Sequence, residues 1–393
     1  MFLLVPVEDT IRQALVSGEK ALKTLWLRKE EKRGECRVPL TPVEVSQLVA
    51  AGVDVAVERS EARCFADEDY ARAGAKLTET PWQHAPLDAV IIALKELEDS
   101  DAPIAHTQIH FSHTFKGQDG AARVLSRYAR GGGEIYDLEF LHDDAGRRVA
   151  AFGYWAGFVG AALGLLGVAH FSSARPGVVD ESFPPLFPSL APYADREALI
   201  AAVEAALASA ALQRDLRVMI MGALGRCGTG ARDLLSSLSR AIELSAWDLP
   251  EFSAVQKPID EIIGHDLFIN CVYLREPIAP MIDESLLARN TRLSVISDVS
   301  CDPTSVDNPI RVYDRITSLE QPFVRARDGG AKPVYVQAID HLPTLLPREA
   351  SQEYAAALFP YLKDFLVAGT PSNTWTNARK CFELALEEHG LVN

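Results

Sequence analysis

The stretch that most constrains this chain runs from Val218 to Ala231 and reads VMIMGALGRCGTGA. An apolar run is followed by glycines at Gly222, Gly225 and Gly228, then by a helical pattern. Strand, glycine turn and helix in that order are what a backbone needs to cradle a pyrophosphate. The glycines permit a tight turn and close approach, and the helix N-terminus offers unpaired N–H groups at the positive end of its dipole. The spacing is GxxGxxG rather than GxGxxG, so the triplet alone is only moderately specific. A second apolar run, Ala241 to Trp247, ends in Asp248, at roughly the 20-residue interval or slightly more at which a carboxylate meets an adenosine ribose. A carboxylate there accepts hydrogen bonds from both ribose hydroxyls and repels a 2′-phosphate, so the pattern predicts NAD rather than NADP. The plainer alternative is a glycine-rich turn in some other α/β protein.

A chain of 393 residues exceeds one ordinary domain and predicts two. Apolar strand-like runs at Leu25–Arg28, Val53–Val57, Ala89–Leu94, Ile109–Phe111 and Gly133–Tyr136 are separated by helical stretches. One of these opens at Thr41-Pro42, an N-cap followed by proline at the first helical position, and closes at Gly52. Further strands at Leu267–Cys271 and Leu293–Val299 extend the glycine motif into a second βαβ array, and helices over Arg348–Phe365 and Thr374–His389 end the chain. Strands alternating with helices predict parallel sheets covered on both faces. The architecture read from this is α/β: two doubly wound, Rossmann-like parallel-sheet domains with an interdomain cleft. Residues 1–150 with 343–393 form one domain and 151–342 the other.

A net charge of −15 argues against nucleic acid or an anionic membrane as partner and leaves small molecules. The composition, 48% hydrophobic and 24% charged, suits a soluble protein with a sizeable core. Cys36, Cys64, Cys227, Cys271, Cys301 and Cys381 show no CxxC spacing, and Met1–Pro6 is too short for a signal peptide. Both fit a reducing cytoplasm without a zinc ribbon or disulfide framework. Val149–Ala174 is apolar enough to cross a bilayer, but it stands alone in an otherwise soluble pattern and is read as a buried helix joining the domains.

Ligands of open α/β sheets gather beyond the carboxyl ends of the strands. The candidates there are Arg37, Lys95 with Glu96, His113 with Lys116 and Gln118, Arg147 and Arg148, Asp298 and Ser300, and Asp340-His341. Each has a dull alternative: a strand-end lysine is usually solvated, and Arg147-Arg148 after Asp143-Asp144 suits a hairpin salt bridge. His106, His110 and His113 would share a helical face as metal ligands, but the residues around them predict a short strand, so no metal site is expected.

The runs LTP (Leu40–Pro42), LKE (Leu94–Glu96), YDLEFL (Tyr136–Leu141), GRRVAAFG (Gly146–Gly153), GALGRCG (Gly222–Gly228), DVS (Asp298–Ser300) and IDHLPTLLPREAS (Ile339–Ser351) resemble the NAD-dependent, lysine-forming saccharopine dehydrogenases from about Leu25 almost to the C-terminus. The resemblance implies oxidative cleavage of saccharopine to L-lysine and 2-oxoglutarate. Residues 1–150 with 343–393 then carry the substrate and 151–342 the NAD. It implies Lys95 as general base and His113 as general acid, with Arg37, Gln118, Arg148 and Phe152 at the substrate, and Asp298 and Ser300 beside it. It implies NAD contacts from Arg147, Gly222, Gly225, Arg226, Asp248, Tyr273 and the turn Ile339-Asp340-His341-Leu342. Arg37 is expected to lower the Lys95 pKa through its positive charge. Family members can pair the positions of Cys227 and Cys271 as a disulfide; in a reducing compartment thiols are expected. This chain departs from the family at Phe252, where a ribose-contacting threonine is usual, in residues 1–24, and over Leu165–Ser189. The competing readings are an imine, opine or amino-acid dehydrogenase with another amine and oxo acid, and a nucleotide-binding protein without turnover. A monomer or small homo-oligomer is expected.

Overall fold

The computed structural model describes residues 24–392, apart from 117–119, 173–186, 211, 213, 273, 275–277, 302, 304, 306, 328–331 and 368–371. The chain divides into two compact units, Met1–Ala151 with Ser351–Asn393, and Phe152–Ala350.

The first unit is built on β1 (Leu25–Leu27), β2 (Val55–Glu58), β3 (Lys76–Thr78), β4 (Val90–Ile92), β5 (Thr107–His110) and β6 (Glu134–Asp137). Their order across the sheet is β3-β2-β1-β4-β5-β6, and every pairing is parallel. Helix α1 (Pro42–Ala50) starts where the sequence predicts, with Thr41 and Glu44 forming a reciprocal capping box that satisfies two orphan N–H groups. Helix α2 (Asp67–Arg72) and strand β3 escape the sequence reading: the one is a single acidic turn and a half, the other a three-residue edge strand, KLT, without an apolar run. After α3 (Ala121–Gly131) and β6 the chain leaves this unit. It returns through α9 (Pro347–Val367) and α10 (Asn373–Glu388), where Trp375 packs edge-on against Tyr136 of β6 at 5.5 Å.

The second unit holds α4 (Gly153–Ser172), α5 (Arg196–Ser209), β7 (Leu216–Met221), α6 (Arg226–Ser236), β8 (Ile242–Trp247), α7 (Leu249–Ala254), β9 (Leu267–Asn270), α8 (Glu284–Leu287), β10 (Val295–Asp298), β11 (Val324–Arg325) and β12 (Tyr335–Gln337). The order is β11-β12-β10-β9-β7-β8, parallel except for the short edge strand β11. Side chains alternate across the pleat. Val218, Ile220, Leu267, Ile269 and Val295 therefore enter one apolar cluster, and Met219, Met221, Phe268 and Ile296 the other.

Helix α4 is the span-like segment. Among the described helices it alone has the length and hydropathy to cross a membrane, yet it is buried from Gly157 to Leu165 within this unit. Its glycines explain why it can lie so close. A Cβ on Gly157 would sit 1.8 Å from the carbonyl oxygen of Cys227 in α6, and one on Gly230 would sit 1.9 Å from that of Tyr154. Two backbones touch there, and a methyl group would separate them.

Candidate active site

In the first unit the strand order reverses beside β1, and the residues just beyond β1 and β4 lie at that switch point, where open α/β sheets bind ligands. Lys95 lies there, three residues past β4. Its main chain is gripped from both sides by residues that follow β1. The Glu30 carboxylate accepts from Leu94 N (2.6 Å) and Lys95 N (3.0 Å), and Arg28 Nη2 donates to the Lys95 carbonyl (2.6 Å). Arg28 is 2% exposed. Burial pushes the Glu30 carboxyl up, against the charge of Arg28 and the two backbone bonds.

Arg37 is buried and bidentate on Glu35, through Nε at 2.7 Å and Nη2 at 2.5 Å. Burial alone would raise the Glu35 pKa; the Arg37 guanidinium outweighs it, and with Lys95 adding its charge the carboxyl is held at about 2. Arg37 and Lys95 thus both act on the Glu35 carboxylate. The arginine is neutralised by a carboxylate that also senses the lysine.

His113 follows β5, three residues past its end, on the neighbouring strand. Phe111 N donates to the Leu94 carbonyl at 2.9 Å, so the segments carrying Lys95 and His113 run side by side at one edge of the sheet. His113 is exposed and has φ +53°, a left-handed conformation rare for a side chain with a Cβ. His106 and His110 belong to the strand: His106 Nε2 meets the Ala85 carbonyl at 3.1 Å and His110 Nε2 the Tyr128 hydroxyl at 3.4 Å. Burial, assisted by the charge of Arg28, pushes the His110 pKa down to about 3. Among the described residues no cluster suited to a metal ion is present.

Two further residues at this edge went unassigned in the sequence. Asp137, the last residue of β6, is 1% exposed. Its Oδ2 accepts from Ser112 N (2.9 Å) and Ser112 Oγ (2.6 Å), and its Oδ1 from Glu139 N (2.7 Å). Glu139 in turn pairs with Lys116 at 2.8 Å and Arg148 at 2.7 Å. Those two cations overcome the effect of burial and hold its carboxyl below the usual range. The buried Tyr354 ring of α9 packs at 6.2 Å from Phe111, and its phenol feels Arg148, Asp137 and Arg37. Both arginines therefore approach the same neighbourhood. Asp137 was findable by the strand-end rule, whereas nothing in the sequence marks Glu30 or Glu35. Arg147 forms the plainer hairpin pair, ion-paired with Asp143 at 2.9 Å and largely exposed. Gln118 lies outside the described residues.

In the second unit the glycine turn has the predicted form. Gly222 has φ +84°, and a Cβ on Gly228 would fall 2.2 Å from the Gly222 carbonyl oxygen. Gly225 is the N-cap of α6 and supplies no side-chain cap, so the first-turn N–H groups of α6 lack the side-chain acceptor that most caps provide. Arg226 opens that helix with its side chain against Gly153. Asp248 ends β8, caps α7, and accepts from Leu224 N at 2.8 Å, which fixes the turn to the neighbouring strand. These residues fit a dinucleotide: an uncapped helix start, a turn a methyl group would fill, and a carboxylate at the ribose position.

Other candidates are held by contacts within the unit. Asp298 is fully buried, with Oδ1 accepting from Asn270 Nδ2 (3.0 Å) and Ser300 Oγ (2.6 Å) and Oδ2 from the Tyr313 hydroxyl (2.6 Å). Both its oxygens accept hydrogen bonds within the unit, and its Oδ1 orients Ser300. Ile339 and Leu342 belong to the apolar cluster that also holds α4, which leaves only their main chain for a ligand. Asp340 and His341 hydrogen-bond to each other beyond β12. Phe152 is half-buried at the start of the second unit. The sulfurs of Cys227 and Cys271 face each other beside the glycine turn; Tyr273 lies outside the described residues.

A family model described as alanine dehydrogenase/PNT, N-terminal domain, matches residues 26–159. Among solved structures, an L-alanine dehydrogenase is similar with a TM-score of 0.58 at 20% identity, covering 93% of each chain. A transhydrogenase from Sinorhizobium meliloti is similar with a TM-score of 0.55 at 16% identity, covering 88% of this chain and 97% of that one. The fold is thus of the alanine dehydrogenase type. The sequence is also 42% identical over 375 residues to a saccharopine dehydrogenase (NAD(+), L-lysine-forming) of Schizosaccharomyces pombe, covering 93% of this chain and 98% of that protein. A Yarrowia lipolytica protein of the same description is 42% identical over 365 residues, covering 91% of this chain and 96% of that protein. The chain belongs to the family of the NAD(+)-dependent, lysine-forming saccharopine dehydrogenases.

Proposed function

We propose that this chain is an NAD-dependent oxidoreductase acting on a CH–NH donor, and that it converts saccharopine and water to L-lysine and 2-oxoglutarate, reversibly. The observation that carries the reading is the pairing of Lys95 and His113 on adjacent strand ends in a member of this family. When bound, NAD supplies the hydride acceptor; Gly222, Gly225, Arg226 and Asp248 would hold it, with main-chain contacts from the turn at Ile339 to Leu342.

The remaining chemistry is proton handling at a nitrogen and at a water molecule, for which a lysine and a histidine suit neutral pH. Lys95 is assigned the general base and His113 the general acid. Arg148 holds a substrate carboxylate by exchanging Glu139 for it, since arginine grips carboxylates with two parallel bonds. Arg37 is the weaker candidate for that task, because its Nε and Nη2 already hold Glu35. Six cysteines without CxxC spacing support a cytoplasmic location.

Mixing purified protein with L-lysine, 2-oxoglutarate and NADH should consume NADH, followed by its absorbance. An unchanged absorbance overturns the reading, and consumption with a different amine or oxo acid moves the chain to the related imine and opine dehydrogenases.

A further inference from the structure

We infer that Asp137 is a positioning residue that sets the conformation of His113 through the residues that flank it. The inference rests on the catalytic reading of His113 given above.

His113 adopts φ +53° without being glycine. Such a conformation costs on the order of 1 kcal/mol and persists only where its surroundings over-determine it. The surroundings here all lead to one carboxylate. Ser112 gives Asp137 Oδ2 both its N–H and its hydroxyl. Across His113, Thr114 Oγ1 lies 2.7 Å from Ser112 Oγ, so Thr114 is linked to that oxygen through the Ser112 hydroxyl. On the other side, Asp137 Oδ1 accepts from Glu139 N, and Glu139 holds Lys116 and Arg148.

No cation lies within ion-pairing distance of Asp137 among the described residues, although it is buried. Its hydrogen-bond donors take that place: the carboxylate bridges two strand-end loops by accepting from Ser112 N and Glu139 N, and an apolar side chain there would leave both N–H groups without their acceptor. Burial pushes the Asp137 carboxyl up, against the hydrogen bonds it accepts from Ser112 and Glu139.

The test is a double-mutant cycle on kcat for the lysine-plus-2-oxoglutarate reaction, using the full chain. In Asp137→Asn only one of the two backbone partners keeps an acceptor. Its kcat should fall roughly 10- to 100-fold, the scale of an ångström-level misplacement, with KM for NADH near that of the wild type. His113→Ala should lower kcat by roughly 10²–10⁴, and adding Asp137→Asn to it should lower kcat less than about twofold further, because the group it positions is gone. Multiplying effects in the double variant, or an unchanged kcat in Asp137→Asn, overturns the inference. If Asp137→Asn does not fold, Ser112→Ala takes its place: it should slow the wild type severalfold and leave the His113→Ala background unmoved, and equal slowing in both overturns the inference. An unchanged kcat in His113→Ala strikes the catalytic reading itself.

Discussion

The two sheets end in different ways at their carboxyl edges. In the first unit the edge is made of side chains held by other side chains: Lys95 by Arg28 and Glu30, the His113 segment by Asp137, Arg37 by Glu35, Arg148 by Glu139. In the second it is made of main chain brought close by missing side chains, at Gly222, Gly228 and Gly157. An edge that moves protons needs ionisable groups at fixed places, and each buried charge there needs a partner. An edge that cradles a phosphate needs bare N–H groups. The first is fragile to changes of charge, the second to changes of volume.

The sharpest break of that contrast is Lys95→Ala, which should reduce kcat by roughly 10²–10⁴ while leaving the melting temperature close to that of the wild type. A loss of stability instead of rate would make the first edge structural. In the second unit Gly157→Ala should do the reverse. Its methyl would overlap a backbone carbonyl, with a cost at or above the upper end of about 1–3 kcal/mol for overpacking, read as a lower melting temperature.

Acid should weaken the first unit. The His110 pKa is depressed to about 3 in the folded chain, so below the ordinary histidine value near 6.5 the unfolded chain binds the extra proton and stability falls with pH. The slope is about 1.4 kcal/mol per pH unit at most, down to about 3. Glu35, depressed to about 2 from 4.5, adds stability above its unfolded value that is lost below it. Melting curves between pH 7.5 and 5 should therefore show a slope in the wild type that His110→Phe reduces; equal slopes would count against a neutral buried histidine.

Asp248→Ala should shrink the preference for NAD over NADP by about tenfold, on the order of 1.4 kcal/mol, seen in the ratio of kcat/KM values. An unchanged ratio removes the ribose role. Smallest of all, Arg147→Ala breaks only an exposed hairpin ion pair and should leave the melting temperature unmoved.

Legibility followed the same divide. Strand–glycine–helix order, the Thr41-Pro42 helix start and the alternating apolar runs are local patterns, and each was readable because short-range sterics and backbone hydrogen bonding produce it. Lys95 and His113 could be placed at strand ends for the same reason. The partners of Asp298 were not readable, because a strand-end aspartate looks alike whatever folds onto it, here Asn270, Ser300 and Tyr313. Glu35 and Glu139 were invisible as partners: a carboxylate's role depends on which cation folds onto it.

The amino-acid order by itself therefore determined the α/β class, the backbone cradle around Gly222 and the strand ends that carry the ionisable groups, because these obey periodicities of a few residues. Only the tertiary structure decided which charges are spent on each other, which way His113 points its backbone, and that the most apolar helix lies buried in a sheet's core. Pairings across tens of residues are settled by burial and distance, and neither is written in local sequence.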